Sequence, residues 1–130
     1  MPPLLEVLIP TCDRKTGLAI TLTSLLGQTF RDFDVVVSDQ NDGEDYRAFQ
    51  VRGRRVRTHK HLPRQGMAEQ RHFLLLQSRA KYVQFIDDDL LLEPEVIERM
   101  LRTIERERCA FVGCCAIGLS YLYDYRAHEH

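Results

Sequence analysis

Three short apolar runs, each ending abruptly in polar or acidic residues, limit what this chain can fold into. They occupy residues 4–10, 33–38 and 82–86. Each is of strand length and rich in aliphatic or aromatic residues, and each is too short for a core helix. Stretches with helical spacing lie between them: Leu18, Leu22, Leu25 and Leu26 within 17–28, and Met67, Phe73, Leu74 and Leu76 within 66–77. Glu93-Pro94 opens a third helix, with Val96, Ile97, Met100, Leu101 and Ile104 as its apolar stripe. Proline and acidic side chains suit a first helical turn, and Arg102, Arg106 and Arg108 suit the far end. A weak helical turn after residue 46, a short strand around Val56 and a last strand over 110–117 complete the pattern. This alternation predicts an α/β fold: three layers, α/β/α, around a mostly parallel, Rossmann-like sheet.

In a parallel sheet the carboxyl ends of the strands share one edge, and ligands bind there. Three loops should therefore converge: Thr11-Cys12-Asp13-Arg14, Ser38-Asp39-Gln40-Asn41-Asp42-Gly43 and Asp87-Asp88-Asp89. Three adjacent carboxylates repel one another and are costly to desolvate, and a divalent cation with oxygen ligands offsets that cost. If the strand stays extended past Ile86, Asp87 and Asp89 point to one side and Asp88 to the other. That would make a two-carboxylate claw for a metal and its phosphate. The plain alternative is an acidic cap for the helix near Pro94, which explains one carboxylate better than three. A calcium loop beginning at Asp87 fails, because Leu91 and Leu92 fall on ligand and glycine positions.

Composition excludes several classes. The chain has 130 residues, 44% hydrophobic and 28% charged, with a formal net charge of −1. One domain over 1–130 is expected, with neither the charge of a nucleic-acid binder nor that of a disordered tail. Arg52, Arg54, Arg55, Arg57, Lys60 and Arg64 are read as a solvated edge strand protected by charge, since interleaved aromatics are absent. No apolar run reaches the roughly 20 residues of a membrane span, and the amino terminus lacks a charged leader. A cytoplasmic location is the default expectation. Cys12, Cys109, Cys114 and Cys115 lack zinc spacing and are expected as reduced core thiols. His59, His61, His72, His128 and His130 show no metal spacing either.

The ordered series of motifs resembles the family 2 glycosyltransferases, enzymes of the GT-A fold that use nucleotide-diphosphate sugars. Val7-Leu8-Ile9-Pro10-Thr11-Cys12-Asp13-Arg14 is similar to the family's opening strand and loop. Leu25-Leu26-Gly27-Gln28-Thr29 resembles the helix end before the second strand, and Val35-Val36-Val37-Ser38-Asp39 the strand ending in aspartate. Gly66-Met67-Ala68-Glu69-Gln70-Arg71 is similar to the G-x-A-x-A-R-N helix start, and Asp87-Asp88-Asp89 to the DXD motif. The resemblance implies that Thr11, Asp13 and Asp39 line a base pocket, Asp39 accepting from an N–H of uracil. It implies that Arg71 holds the nucleotide and that Asp87 meets the ribose, with Arg14 and Asp88 in the same nucleotide-binding set. Asp89, with Asp87, would ligate Mn²⁺ or Mg²⁺ bridging the diphosphate of a donor, with a UDP-sugar favoured.

The departures are local. Cys12 stands where an aromatic residue commonly stacks near the base. Gln40-Asn41 replace Asp-Gly, and His72 replaces asparagine. Inverting members also draw their catalytic base from a later segment, so the base and acceptor site are expected beyond His130. The expectation is the nucleotide-sugar-binding half of a longer, inverting transferase acting on an acceptor hydroxyl. The rival is a non-catalytic nucleotide- and metal-binding module. A receiver-like phosphoacceptor domain fits only at Asp13 and ranks behind both.

Overall fold

The computed structural model describes residues 1–41 and 56–114. In chain order the elements are β1 (Leu5–Thr11), α1 (Lys15–Leu26), β2 (Phe33–Asp39), β3 (Val56–Lys60), α2 (Met67–Gln77), β4 (Tyr82–Phe85) and α3 (Val96–Glu107). The chain divides into two compact units, Met1–Glu98 and Arg99–His130, and α3 begins in the first. The weak turn expected after residue 46 lies largely outside the described residues.

The sheet is four-stranded in the order β3-β2-β1-β4, and every described ladder is parallel. β1 and β2 are central, and both of their faces are covered. Val7, Leu8, Ile9, Val35, Val36 and Val37 are all at most 2% exposed. This two-sided burial explains why these strands read as unbroken apolar runs rather than as alternation. On one face Leu74 of α2 meets Leu8 and Val36. The strand alternation puts Val7, Ile9, Val35 and Val37 on the other face. The α/β class and the parallel sheet of the sequence reading stand.

Three local expectations do not. The apolar run at 82–86 predicts a buried β4, yet Val83 and Phe85 are 37% and 41% exposed. They share the face of Glu6 and Leu8 by register, but α2 packs over β1 and β2 and leaves that face of β4 open. The last strand over 110–117 is not formed over its described part, residues 110–114; the remainder lies outside the described residues. Cysteines follow suit. Cys109 and Cys114 are exposed and Cys12 is half-buried, so none of the three is a core thiol. With no strand over 110–114, Cys114 has no sheet position to carry it inward, and Cys115 lies outside the described residues.

At the amino end of the sheet, Glu6 is 1% exposed and fully engaged. It pairs with Arg57, accepts from the Ser78 hydroxyl and accepts from the Arg79 N–H at 2.9 Å. Burial alone would raise its pKa. The Ser78 and Arg79 hydrogen bonds, the Arg57 charge and the Ala80 N–H outweigh that and hold the carboxyl below its ordinary range.

Candidate functional site

The strand order defines where a crevice can form. From β1 the chain moves outward to β2 and β3, then returns to place β4 on the other side of β1. That reversal makes the carboxyl ends of β1 and β4 a topological switch point, the usual ligand position in open α/β sheets. Side-chain hydrogen bonds span it: the Thr11 hydroxyl donates to Asp88 Oδ2 at 2.8 Å, and Arg14 donates to Asp89 Oδ2.

The acidic segment does not continue as a strand. β4 stops at Phe85 and the backbone turns at Asp88-Asp89, so the strand-like alternation expected for the three aspartates is not what arranges them. Asp88 is drawn inward to 6% exposure by Thr11, with Arg14 3.7 Å from its second oxygen. The Asp87 and Asp89 side chains stay about half exposed, at 49% and 51%. Arg71 of α2 pairs with Asp87 at 2.9 Å, and Arg14 pairs with Asp89 at 2.6 Å.

Helix α1 grips the same turn through residues that the sequence did not single out. The Leu90 N–H donates to the Thr21 hydroxyl at 3.0 Å. Gly17 comes so close that a Cβ there would lie 2.7 Å from the Asp88 carbonyl oxygen. A glycine within a leucine-patterned helix is the one available sequence signal for such an approach. Fully buried Gln28 joins the end of α1 to the segment after the acidic turn: its amide donates to the Glu93 carbonyl at 2.8 Å and accepts from the Ile97 N–H. Thr29 adds a hydrogen bond to Glu98. The helix-end motif is thus a splice that anchors residues 93–98 to α1.

The second wall comes from β2. Asp39 is 1% exposed, with Oδ1 accepting from the Asn41 N–H and side-chain amide and Oδ2 paired with Lys60 at 3.1 Å. Asp13 adopts a left-handed φ of 58°, which aspartate tolerates, and its N–H donates to Asn41 Oδ1 at 2.6 Å. Its carboxylate receives both terminal nitrogens of Arg64, at 2.8 and 3.0 Å. Thr11, Asp13, Arg14 and Asp88 thus lie on one loop pair, Thr11 and Arg14 meeting Asp88 directly, and Asp39 is joined to Asp13 through Asn41. Arg71, Asp87 and Asp89 lie along the same acidic turn.

Lys60 and Arg64 were expected on a solvated, charge-protected edge. Instead Arg57, Lys60 and Arg64 each pair with a carboxylate of the sheet or its loops. Arg52, Arg54 and Arg55 lie outside the described residues. His61 is paired with Glu69 at 2.6 Å and stacks against Phe73 at 4.0 Å between ring centres.

Among the described residues, no group of three or more histidine, cysteine or acidic side chains is already gathered around a metal position. The donor chemistry nonetheless fits a hard cation. Asp87 and Asp89 offer half-exposed carboxylate oxygens, and Mg²⁺-like ions are commonly held by one or two carboxylates plus phosphate and water. Each carboxylate is paired with one guanidinium.

Residues 6–129 match the sequence pattern of Glycosyl transferase family 2. A glycosyltransferase of Haemophilus influenzae is 30% identical over 103 residues, which cover 79% of this chain and 35% of that protein. The fold is similar to that of S. aureus TarS 1-349 in complex with UDP-GlcNAc, with a TM-score of 0.69 and 22% identity. That match covers 83% of this chain and 32% of TarS 1-349. It is also similar to the mannosyltransferase PcManGT from Pyrobaculum calidifontis in complex with GDP-Man and Mn²⁺. There the TM-score is 0.70 at 18% identity, over 80% of this chain and 33% of that one. The chain spans about a third of each of these relatives. The match over nearly its whole length makes it a member of the family 2 glycosyltransferases.

Proposed function

We propose that residues 1–130 form the nucleotide-diphosphate-sugar-binding part of a glycosyltransferase, with a UDP-sugar as donor. The observation that carries this reading is the acidic turn braced at the switch point by Thr11, Thr21 and the close approach of Gly17. Such bracing holds Asp87 and Asp89 in place before any ligand arrives, which is the preorganisation that charge stabilisation requires.

In this reading Thr11, Asp13 and Asp39 border the base, Arg14 and Arg71 face the diphosphate and Asp87 faces the ribose. Asp88 acts as the internal brace of the turn. Asp89, with Asp87, holds Mn²⁺ or Mg²⁺. A divalent cation there would neutralise the charge that develops on the departing nucleoside diphosphate. The transfer is a direct displacement by an acceptor hydroxyl, with inversion at the anomeric carbon. The role of base is assigned to no residue of this chain. The TarS complex with UDP-GlcNAc and the PcManGT complex with Mn²⁺ are in keeping with donor and metal. Among the described residues no helix is long and apolar enough to cross a membrane. A cytoplasmic location belongs to the same proposal, in keeping with the free thiols of Cys12, Cys109 and Cys114.

Calorimetric titration with UDP, with and without Mn²⁺, tests the reading. Asp89→Asn should abolish the metal-dependent part of UDP binding while leaving the melting temperature near the parent's, since Asp89 is half exposed. In a thermal-shift assay, ligand at about 100 times its dissociation constant should stabilise the parent by roughly 2.7 kcal/mol. An Asp89→Asn variant that bound Mn²⁺ and UDP as tightly as the parent would overturn the assignment.

A further inference from the structure

A nucleobase needs a flat surface as well as hydrogen-bond partners, and among the described residues of the three loops that border the crevice, 11–14, 38–41 and 87–90, none is aromatic. Cys12, between Thr11 and Asp13, offers only a small thiol, and the His61 ring is already turned against Phe73. A planar group is brought to the residue after Cys12, Asp13: the Arg64 guanidinium.

Arg64 is held at two points. Both of its terminal nitrogens meet Asp13, at 2.8 and 3.0 Å, a fork-to-fork pairing that fixes the plane of the guanidinium as well as its place. Asp13 is itself fixed by its left-handed backbone and by the hydrogen bond from its N–H to Asn41. The next residue, Gln65, donates its N–H to Gln40 Oε1 at 3.2 Å. Residues 64–65 therefore bridge the loops after β1 and β2, the two loops that border the base in the proposed function. Burial raises the pKa of the Cys12 thiol, and the Arg64 charge offsets part of that rise. The Arg64 side chain is still 44% exposed, so it presents surface to a ligand.

We infer that Arg64 is a substrate-positioning residue whose guanidinium plane, clamped by Asp13, stacks on the base of the bound nucleotide. Arginine planes serve this purpose on bases, and lysine, a point charge on a flexible stem, does not. The inference rests on the proposed nucleotide site and adds to it a flat face for the base.

The test compares the parent chain with Arg64→Lys and Arg64→Ala, using UDP with Mn²⁺, pyrophosphate with Mn²⁺, and uridine alone. Calorimetry serves the first two ligands and NMR titration the third. Both variants should lose roughly five- to hundredfold in affinity for UDP, by similar factors, the range for stacking on one base. Uridine should lose by the same factor, and pyrophosphate should bind as before. Arg64 is half exposed, so the melting temperature should stay within a few degrees and the loss should not track unfolding. If Arg64→Lys binds UDP like the parent, or if pyrophosphate binding falls as far as UDP binding, Arg64 acts through charge and the inference is overturned. A parent chain that binds neither UDP nor pyrophosphate overturns the nucleotide site itself, and this inference with it.

Discussion

Gly17→Ala is the substitution that most directly probes the braced turn. Two effects oppose each other. Alanine in a helix interior gains about 0.5–1 kcal/mol over glycine. The new Cβ, however, would sit 2.7 Å from the Asp88 carbonyl oxygen, about 0.7 Å short of ordinary contact at 3.4 Å. The obstacle is backbone rather than the end of a flexible side chain, so either α1 or the acidic turn must move. Overpacking of this kind costs about 1–3 kcal/mol, leaving a net loss of up to about 2.5 kcal/mol. For a chain of this size that is a fall in melting temperature of up to roughly 10 °C. The displacement also reaches Asp89, whose Cα is 3.6 Å from the same Cβ. Mn²⁺-dependent UDP affinity should therefore drop as well. Gly27→Ala is the control: its Cβ meets only the Ser24 carbonyl oxygen, at 3.6 Å, so both stability and binding should hold. Differential scanning calorimetry and titration calorimetry read the two quantities. If Gly17→Ala raised the melting temperature and left UDP binding unchanged, the close approach would not exist in solution.

The remaining predictions concern pH. Glu6→Gln should destabilise the fold by about 2 kcal/mol at neutral pH, because a buried, fully hydrogen-bonded carboxylate loses its charge opposite Arg57. The Glu6 pKa is lowered in the fold, so its contribution is complete above its ordinary value of 4.5 and disappears as pH falls through the lower folded value. Melting curves of parent and variant should converge below that window; a constant gap down to strong acid would refute the assignment. His59 behaves differently: burial first, then the Arg57 charge, lower its pKa below 6.5. Folding thus favours the neutral ring, and stability should decline as pH drops below 6.5, where the unfolded chain takes up the proton first. Melting temperatures of His59→Gln measured between about pH 7.5 and 5 should fall less than the parent's, and equal slopes would count against a ring held neutral by the fold.

What the sequence disclosed depended on whether a local pattern decides the structure. β1 and β2 were legible because burial on both faces writes itself as an unbroken apolar run. β4 gave the same signal and misled, since whether α2 reaches far enough to cover Val83 and Phe85 is a matter of packing. The convergence of the Thr11, Asp39 and Asp87 loops followed from parallel strands alone. How the carboxylates are held there did not, because Thr11 and Asp88 are 77 residues apart and the turn breaks the strand period. Arg64 looked like one member of a charged run, as only the fold brings it to Asp13. The Gln28 and Thr29 motif was visible as a pattern, but its task of splicing α1 to the segment around Glu93 and Glu98 needs three dimensions.

β1 carries a carboxylate network at each end, and the two have separate tasks. At the amino end Glu6 ties Arg57, Ser78 and Arg79 into the sheet, remote from any ligand crevice. At the carboxyl end Thr11 steadies the acidic turn. Residues 7–10, all buried, lie between them as a rigid spacer. If loops 11–14, 38–41 and 64–65 border the base as proposed, they can be rewritten to suit a different one while the amino-end network keeps the sheet assembled. A strand built in this way would let donor preference drift without dragging foldability along with it.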